Sequence, residues 1–243
     1  VEIRTDYDVK LVESITAKTS ENDSISTASN YRYKLKTEAM KNNFVKELYI
    51  VCESLVIATG ALSIPTLGGS DYGYQLAEKF RLPLIKRRAG LVPFMFSDEM
   101  KNFCEKLSGI SLPVIIYCNR VEFKESLLFT HKGISGPAVL QISNYWQPSD
   151  SISINLLPNI DAIESIIQEK KKHNNSTIRQ YLNKFMPKAL VKELQKMWWP
   201  IYKDHSISEI SDKDLKIIGG KLNKWILKPS STEGYRTAEV TLG

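Results

Sequence analysis

Residues 55–69, LVIATGALSIPTLGG, constrain the fold of this chain more than any other stretch. Aliphatic and β-branched residues run without a polar break and then give way to small ones. That is the pattern of a strand buried on both faces that ends in a tight turn. Ala58, Thr59 and Gly60 form the turn. In open α/β sheets the crevice beyond the carboxyl ends of the strands is where ligands bind, and a glycine there allows close approach to the backbone. Hydrophobic strands followed by Gly are common, so a plain strand-to-loop junction is the competing reading.

With 243 residues the chain can bury a core and hold one large domain or two small ones. Its hydrophobic and charged fractions, 42% and 25%, are those of a globular protein. No apolar run approaches the roughly 20 residues a membrane-spanning helix needs, and no charged start followed by an apolar segment marks a secretory signal. A cytoplasmic protein without membrane contact is expected. The chain opens on Val1 within what reads as a strand, which suggests a piece of something longer. Cys52, Cys104 and Cys118 are odd in number, far apart and without CxxC spacing, which argues against a disulfide framework or a metal site. The net charge is +6, yet the 33 basic residues are scattered among 27 acidic ones. The one dense run, Lys170, Lys171 and Lys172 followed by His173, falls at an expected helix end, where cations complement the dipole. Without aromatic interleaving or a nucleic-acid motif it reads as a solvated helix terminus, and no nucleic-acid partner is expected.

Residues 1–60 read as short strands with polar links. Candidates are 1–5, 7–15, 31–37 and 48–52, with an exposed loop at 16–30, and the buried parallel strand at 55–58 follows. Residues 70–80 switch to helical spacing behind Gly68, Gly69 and Ser70. That turn presents its amides to an anion or is simply capped by Ser70 or Asp71. Strand signals return at 91–96, 112–118, 121–129 and 151–157, suggesting a curled sheet or small barrel, interrupted by a helix at 137–146. From 161 to 227 the period is helical throughout. Asp161 with Glu164 and Ser211 with Asp214 resemble capping boxes, and Trp198, Trp199 and Trp225 read as core. A return strand is expected at 235–242.

The second informative stretch is LLFTHKGISGP at 127–137. A strand ending in Thr130 and His131, then glycines bracketing Ile134 and Ser135, places an imidazole and a hydroxyl beside flexible backbone at a helix start. His131 could supply a proton there while helix amides hold an anion. The bland alternative is a capped turn between a strand and a helix. A nucleophilic Ser135 lacks the elbow spacing and a nameable acid partner. HExxH, Walker A, GxGxxG and EF-hand patterns are absent from these residues.

Together with RAGLVPF at 88–94, INLLP at 154–158 and KPSSTEGYRTAEVTLG at 228–243, these stretches resemble the bacterial FAD-dependent oxidoreductases of the BaiN-like (YhiN-type) group, in order and roughly in spacing. The resemblance implies an α+β chain: part of a Rossmann-like FAD domain with an inserted small β-barrel and a helical subdomain. Its implied divisions are 1–88 for the partial FAD domain, 89–160 for the barrel, 161–228 for the helices and 229–243 for the return strand. It places Ala58, Thr59, Gly60, Ala61 and Gly136 at the flavin, and His131 and Ser135 on the flavin-side cavity as catalytic candidates. Ala61 departs from the group's second Gly, and Arg81 from the Gly that commonly follows the helix. The implied activity is oxidation or reduction of a small molecule, with FAD as cofactor and NAD(P)H as a candidate electron source. The rival class is a non-catalytic binding or assembly module built on the helical unit. Oligomeric state is open. Because the group's dinucleotide fingerprint is not among these residues, the purified 243-residue chain is expected to bind FAD weakly or not at all. Flavin titration followed by gel filtration checks this, and a stoichiometric yellow complex would overturn it.

Overall fold

The computed structural model describes residues 1–15, 30–41, 44–173 and 175–243. The loop expected at 16–30 lies outside the described residues except for Asn30. The chain divides into two compact units, Val1–Gly60 with Asp71–Leu84, and Ala61–Ser70 with Ile85–Gly243.

The first unit is an antiparallel meander of β1 (Tyr7–Ser14), β2 (Tyr33–Lys41) and β3 (Phe44–Cys52), packed on α1 (Tyr72–Lys79). The alternation expected around 31–37 is real: Leu35 and Thr37 are buried, and the Thr37 hydroxyl donates to the Leu48 carbonyl at 3.2 Å. Val12, Leu35 and Leu76 form the small core. Lys79 Nζ donates to the Val12 carbonyl at 2.7 Å, and the Phe80 ring meets Tyr33 edge-on, 6.2 Å between centroids. The parallel strand expected at 55–58 is not formed. A segment becomes a strand only where a neighbour satisfies its backbone groups, and no described residue pairs with it; Val56 is 85% exposed. Residues 1–5 are likewise unpaired, with Val1 and Ile3 exposed. The Rossmann-like element is thus corrected to an extended, solvent-facing segment.

The second unit is built on a seven-stranded antiparallel sheet. Its order is β10 (Trp225–Leu227), β9 (Ile152–Asn155), β6 (Ser111–Cys118), β7 (Val121–Phe129), β8 (Gly133–Ser135), β5 (Phe94–Met95) and β11 (Ser231–Thr232). A separate ribbon joins β4 (Arg88–Gly90) to β12 (Val240–Leu242), shorter than the return strand expected there. Asn119 and Arg120 link β6 to β7 with φ of 48° and 68°, a primed turn whose twist suits a hairpin. The sheet's outer strands, β10 and β11, are separated in sequence only by Lys228, Pro229 and Ser230. Four residue steps span at most about 14 Å, whereas a flat sheet of this width would hold its edges about 29 Å apart. The sheet is therefore curled on itself. It does not close, because among the described residues no ladder joins β10 to β11, and the buried Pro229 has no N–H to offer across the seam. The small barrel expected within 89–160 is corrected to a curled, open sheet that draws both edge strands from later sequence.

Leu112, Val114, Ile116, Leu127 and Phe129 face the core from β6 and β7. They meet Phe103 and Cys104 of α2 (Asp98–Lys106) and Val139 and Ile142 of α3 (Pro137–Ser143). The core continues without a break into α4 (Ala162–Lys171), α5 (Ile178–Leu182), α6 (Lys188–Trp198) and α7 (Asp212–Asn223). Asp161 accepts from the Glu164 amide at 3.0 Å and Ser211 from the Asp214 amide at 3.2 Å, as their spacing suggests. Trp199 and Trp225 are core, with Trp198 edge-on to Trp225 at 5.5 Å. Helices α4 and α7 are antiparallel neighbours held at both ends: the Ala162 amide donates to Asn223 Oδ1 at 2.7 Å, and Lys170 pairs with Asp212 at 2.6 Å. Between them a side chain at Gly219 would put its Cβ 2.8 Å from the Ile163 backbone, while one at Gly220 would find nothing nearer than Ile163 Cδ1 at 4.0 Å. Adjacent substitutions should therefore act with opposite sign. Gly219→Ala is expected to cost about 1–3 kcal/mol through overpacking, and Gly220→Ala to add about 0.5–1 kcal/mol through helix propensity. Urea midpoints moving in the same direction would refute the close-contact account.

Candidate functional site

In the first unit Ala58, Thr59 and Gly60 are exposed. Gly60 has φ 75°, in the left-handed region that favours glycine, so the bend depends on that residue. Helix α1 presses on the segment: a Cβ at Gly73 would lie 3.3 Å from Ile57 Cγ2 and 3.4 Å from Thr59 Oγ1. Asp71 stands at the N-cap of α1 without a side-chain cap, its carboxylate accepting instead from Gln75 Nε2 at 2.8 Å. Ala61 is half-buried and belongs to the second unit.

The other expected site residues lie together on one hairpin of the second unit. Strands β7 and β8 pair Phe129 with Ile134 and Leu128 with Ser135. Thr130 and Gly133 exchange backbone hydrogen bonds of 2.8 and 3.3 Å, and the Thr130 hydroxyl accepts from the Gly133 amide at 3.2 Å. His131 and Lys132 are the tip. His131 is exposed, whereas Lys132 is 3.6 Å from the largely buried Glu233 carboxylate. Gly136, at φ 93°, turns the chain into α3 with its α-carbon against β7; a Cβ there would lie 2.7 Å from the Ser126 carbonyl. The Val139 and Leu140 amides already donate to the Gly136 carbonyl at 3.0 and 2.9 Å. Since Pro137 has no N–H, the start of this seven-residue helix has little left for an anion. The Ser135 hydroxyl has no hydrogen-bond partner among the described residues, so no base is poised to activate it.

One anchoring residue was not anticipated. Arg88, at the start of RAGLVPF, donates from Nη1 to the Trp146 carbonyl at 3.1 Å and from Nη2 to the Asn144 carbonyl, closing the carboxyl end of α3. The Leu91 amide donates to Asn144 Oδ1 at 2.9 Å and the Val92 amide to the buried Ser143 hydroxyl at 3.0 Å. The cation placed six residues before β5 was the available signal, because guanidinium groups suit free helix carbonyls. Among the described residues the open clefts include two. One of about 460 Å³ is lined by Asp6, Tyr7, Asp8, Lys10, Glu38 and Val45; another of about 200 Å³ lies among Leu112, Leu157, Ile160 and Phe185. Neither includes an expected site residue. Among the described residues no cluster of His, Cys, Asp and Glu could hold a metal ion, and no helix is long and apolar enough to cross a membrane.

The chain is 41% identical over 223 residues to the ribosomal RNA dihydrouridine synthase of Escherichia coli, covering 88% of this chain and 55% of that protein. It is 47% identical over 196 residues to the ribosomal RNA dihydrouridine synthase of Haemophilus influenzae, covering 79% of this chain and 47% of that protein. It thus spans about half the length of the curated relatives it matches. Both relatives are named for an RNA, which overturns the expectations of a small-molecule substrate and of no nucleic-acid partner. Over the whole chain the charges look mixed because the excess is confined to one region. Residues 161–228 hold fourteen Lys and Arg against eight Asp and Glu, while the rest of the chain holds nineteen of each sign. Residues 88–240, well over half of the chain, match the family described as "HI0933-like protein barrel and H2TH domain", and the chain belongs to that family.

Proposed function

We propose that this chain is part of a flavin-dependent enzyme that reduces uridine to dihydrouridine in ribosomal RNA. The observation that carries the reading is 41% identity, across 223 residues, to a relative named for that product. Saturating the C5=C6 bond of uracil takes a hydride and a proton. A bound flavin supplies the hydride chemistry; FAD is the flavin that the BaiN-like resemblance implies, with NAD(P)H as a candidate reductant. The open bend at Ala58, Thr59 and Gly60 fits a cofactor edge, since it is exposed, made of small residues, and turned by a glycine whose φ leaves its α-carbon bare. On this reading residues 1–88 and 229–243 belong to the FAD domain, and 89–160 with 161–228 form the insert. The reaction is cytoplasmic, where bacterial ribosomal RNA is found.

The protein's own part is to hold the base, exclude water and deliver the proton. His131 is the proton donor we assign: it stands exposed at a hairpin tip whose backbone is fixed by Thr130 and Gly133. Ser135 and Gly136, on the following strand and turn, are the neighbours we assign to the same flavin-facing surface. Cys104 suits the proton-donor role poorly, since it is fully buried and burial pushes its thiol up to about 12.

Deleting the gene should remove from ribosomal RNA digests a nucleoside heavier than uridine by two hydrogen atoms, and the full-length gene should restore it. Persistence of that nucleoside in the deletion strain would overturn the reading. In the full-length enzyme His131→Gln should lower the rate of RNA reduction by about 10²-fold or more with the flavin absorbance unchanged. An unaltered rate would remove His131 from the site.

A further inference from the structure

The antiparallel α4 and α7 stand on the sheet by one end. There Asn223 Nδ2 donates to Asn155 Oδ1 of β9 at 3.0 Å, and the Leu156 amide donates to the Leu222 carbonyl at 2.9 Å. The ten residues of α4 carry its other end about 15 Å away. At that far end six lysines gather: Lys170, Lys171, Lys172, Lys184, Lys213 and Lys216. Lys170 bridges the Ile210 carbonyl and the Asp212 carboxylate at 2.7 and 2.6 Å. Lys172 and Lys184 flank one buried carboxylate, Glu169, at 2.9 and 3.7 Å, with their own side chains 63% and 59% exposed. Lys171, Lys213 and Lys216 are exposed and make no hydrogen bond or ion pair among the described residues. Lys171 and Lys216 both help hold the Asp212 carboxyl below its ordinary value, after the direct bond and attraction of Lys170, so they stand around the same group.

The tip therefore carries six cations against Glu169, Glu209, Asp212 and Asp214, within a region that holds the chain's whole excess of positive charge. Exposed charges closer than a Debye length of about 8–10 Å act together on an approaching polyanion. Protein interfaces are depleted in lysine, whereas a mobile ammonium point charge suits phosphate oxygens. We propose that the far end of the α4–α7 pair is the surface on which the ribosomal RNA docks by its phosphate backbone, fixing its position without reading its sequence. The proposal rests on the RNA-directed reading above.

The test uses the full-length protein, a fluorescein-labelled RNA hairpin cut from ribosomal RNA, and affinity measured against salt. Lys171, Lys213 and Lys216 are changed together to Gln, which keeps helix propensity. Lys46, Lys101 and Lys106, exposed and outside residues 161–228, are changed together as the control. The first triple should weaken binding and make the log–log salt slope shallower by about 2–3, since each lost phosphate contact removes about 0.7–0.9. The control should keep the parental slope. Equal changes in both triples, no change in either, or no salt-dependent RNA binding by the parent would each overturn the proposal. Loss confined to phosphatidylserine vesicles, with the RNA slope intact, would overturn it in favour of a membrane surface. The two readings fail separately. A deletion strain that keeps its reduced nucleoside defeats the enzymatic reading. A triple variant that restores the nucleoside with an unaltered slope defeats only the docking surface.

Discussion

The connector of Lys228, Pro229 and Ser230 is the constraint on which the larger unit depends. Because it joins the two outermost strands of a seven-stranded sheet, it holds together edges that a flat sheet would keep far apart. Curling encloses the buried faces of β6, β7 and β9, and α2 and α3 fill the remaining space with Phe103, Val139 and Ile142. The same arrangement explains how a long helical excursion is accommodated. Strands β9 and β10 pair antiparallel, Ile154 opposite Trp225, so the chain leaves for α4 and returns from α7 at one place on the sheet. The helices add to the core without interrupting any strand pair.

Elements whose burial is decided by nearest neighbours were legible in the sequence. Strand β7 begins and ends where the strand signal at 121–129 puts it, because β6 is joined to it by a tight turn and needs no distant partner. The helical stripes of residues 161–223 were equally readable, since each buries one face against the next, but Trp225 and Ile226, expected to continue the last stripe, belong instead to β10, whose partner β9 is remote in sequence. Elements that depend on remote partners were not. The aliphatic run at 55–57 has the composition of a central strand, but strand identity belongs to a pair of segments, and among the described residues it has no partner. Helix α2 escaped for the opposite reason: it buries only Phe103 and Cys104, too few apolar positions to set a period. The reciprocal capping boxes of Thr177 with Gln180 and Ser206 with Glu209 have the right spacing but start helices too short to show an apolar period.

For the site, β8 was not legible, since it forms against the remote β5, whereas the end of β7 and the start of α3 at Gly136 were. Gly133 sits against the Phe94 carbonyl, and Gly136 sits against β7. Arg88 was not legible either, since its role lies in carbonyls more than fifty residues away. The basic character of the helices was hidden in a different way: charges that look mixed along the chain become sorted when Glu169 and Asp212 are consumed locally by Lys172, Lys184 and Lys170. What remains facing outward is the surplus.

Asn223 has a mechanical consequence. Its side chain alone binds the Ala162 amide, Asn155 Oδ1 and the Ile160 carbonyl, so one planar amide sets the angle at which the paired helices leave the sheet. With a lever about 15 Å long, a tilt of about 10° at that joint would swing the distal lysines by nearly 3 Å, roughly the length of a single hydrogen bond. Aim at the far end is thus set by a carboxamide at the near one.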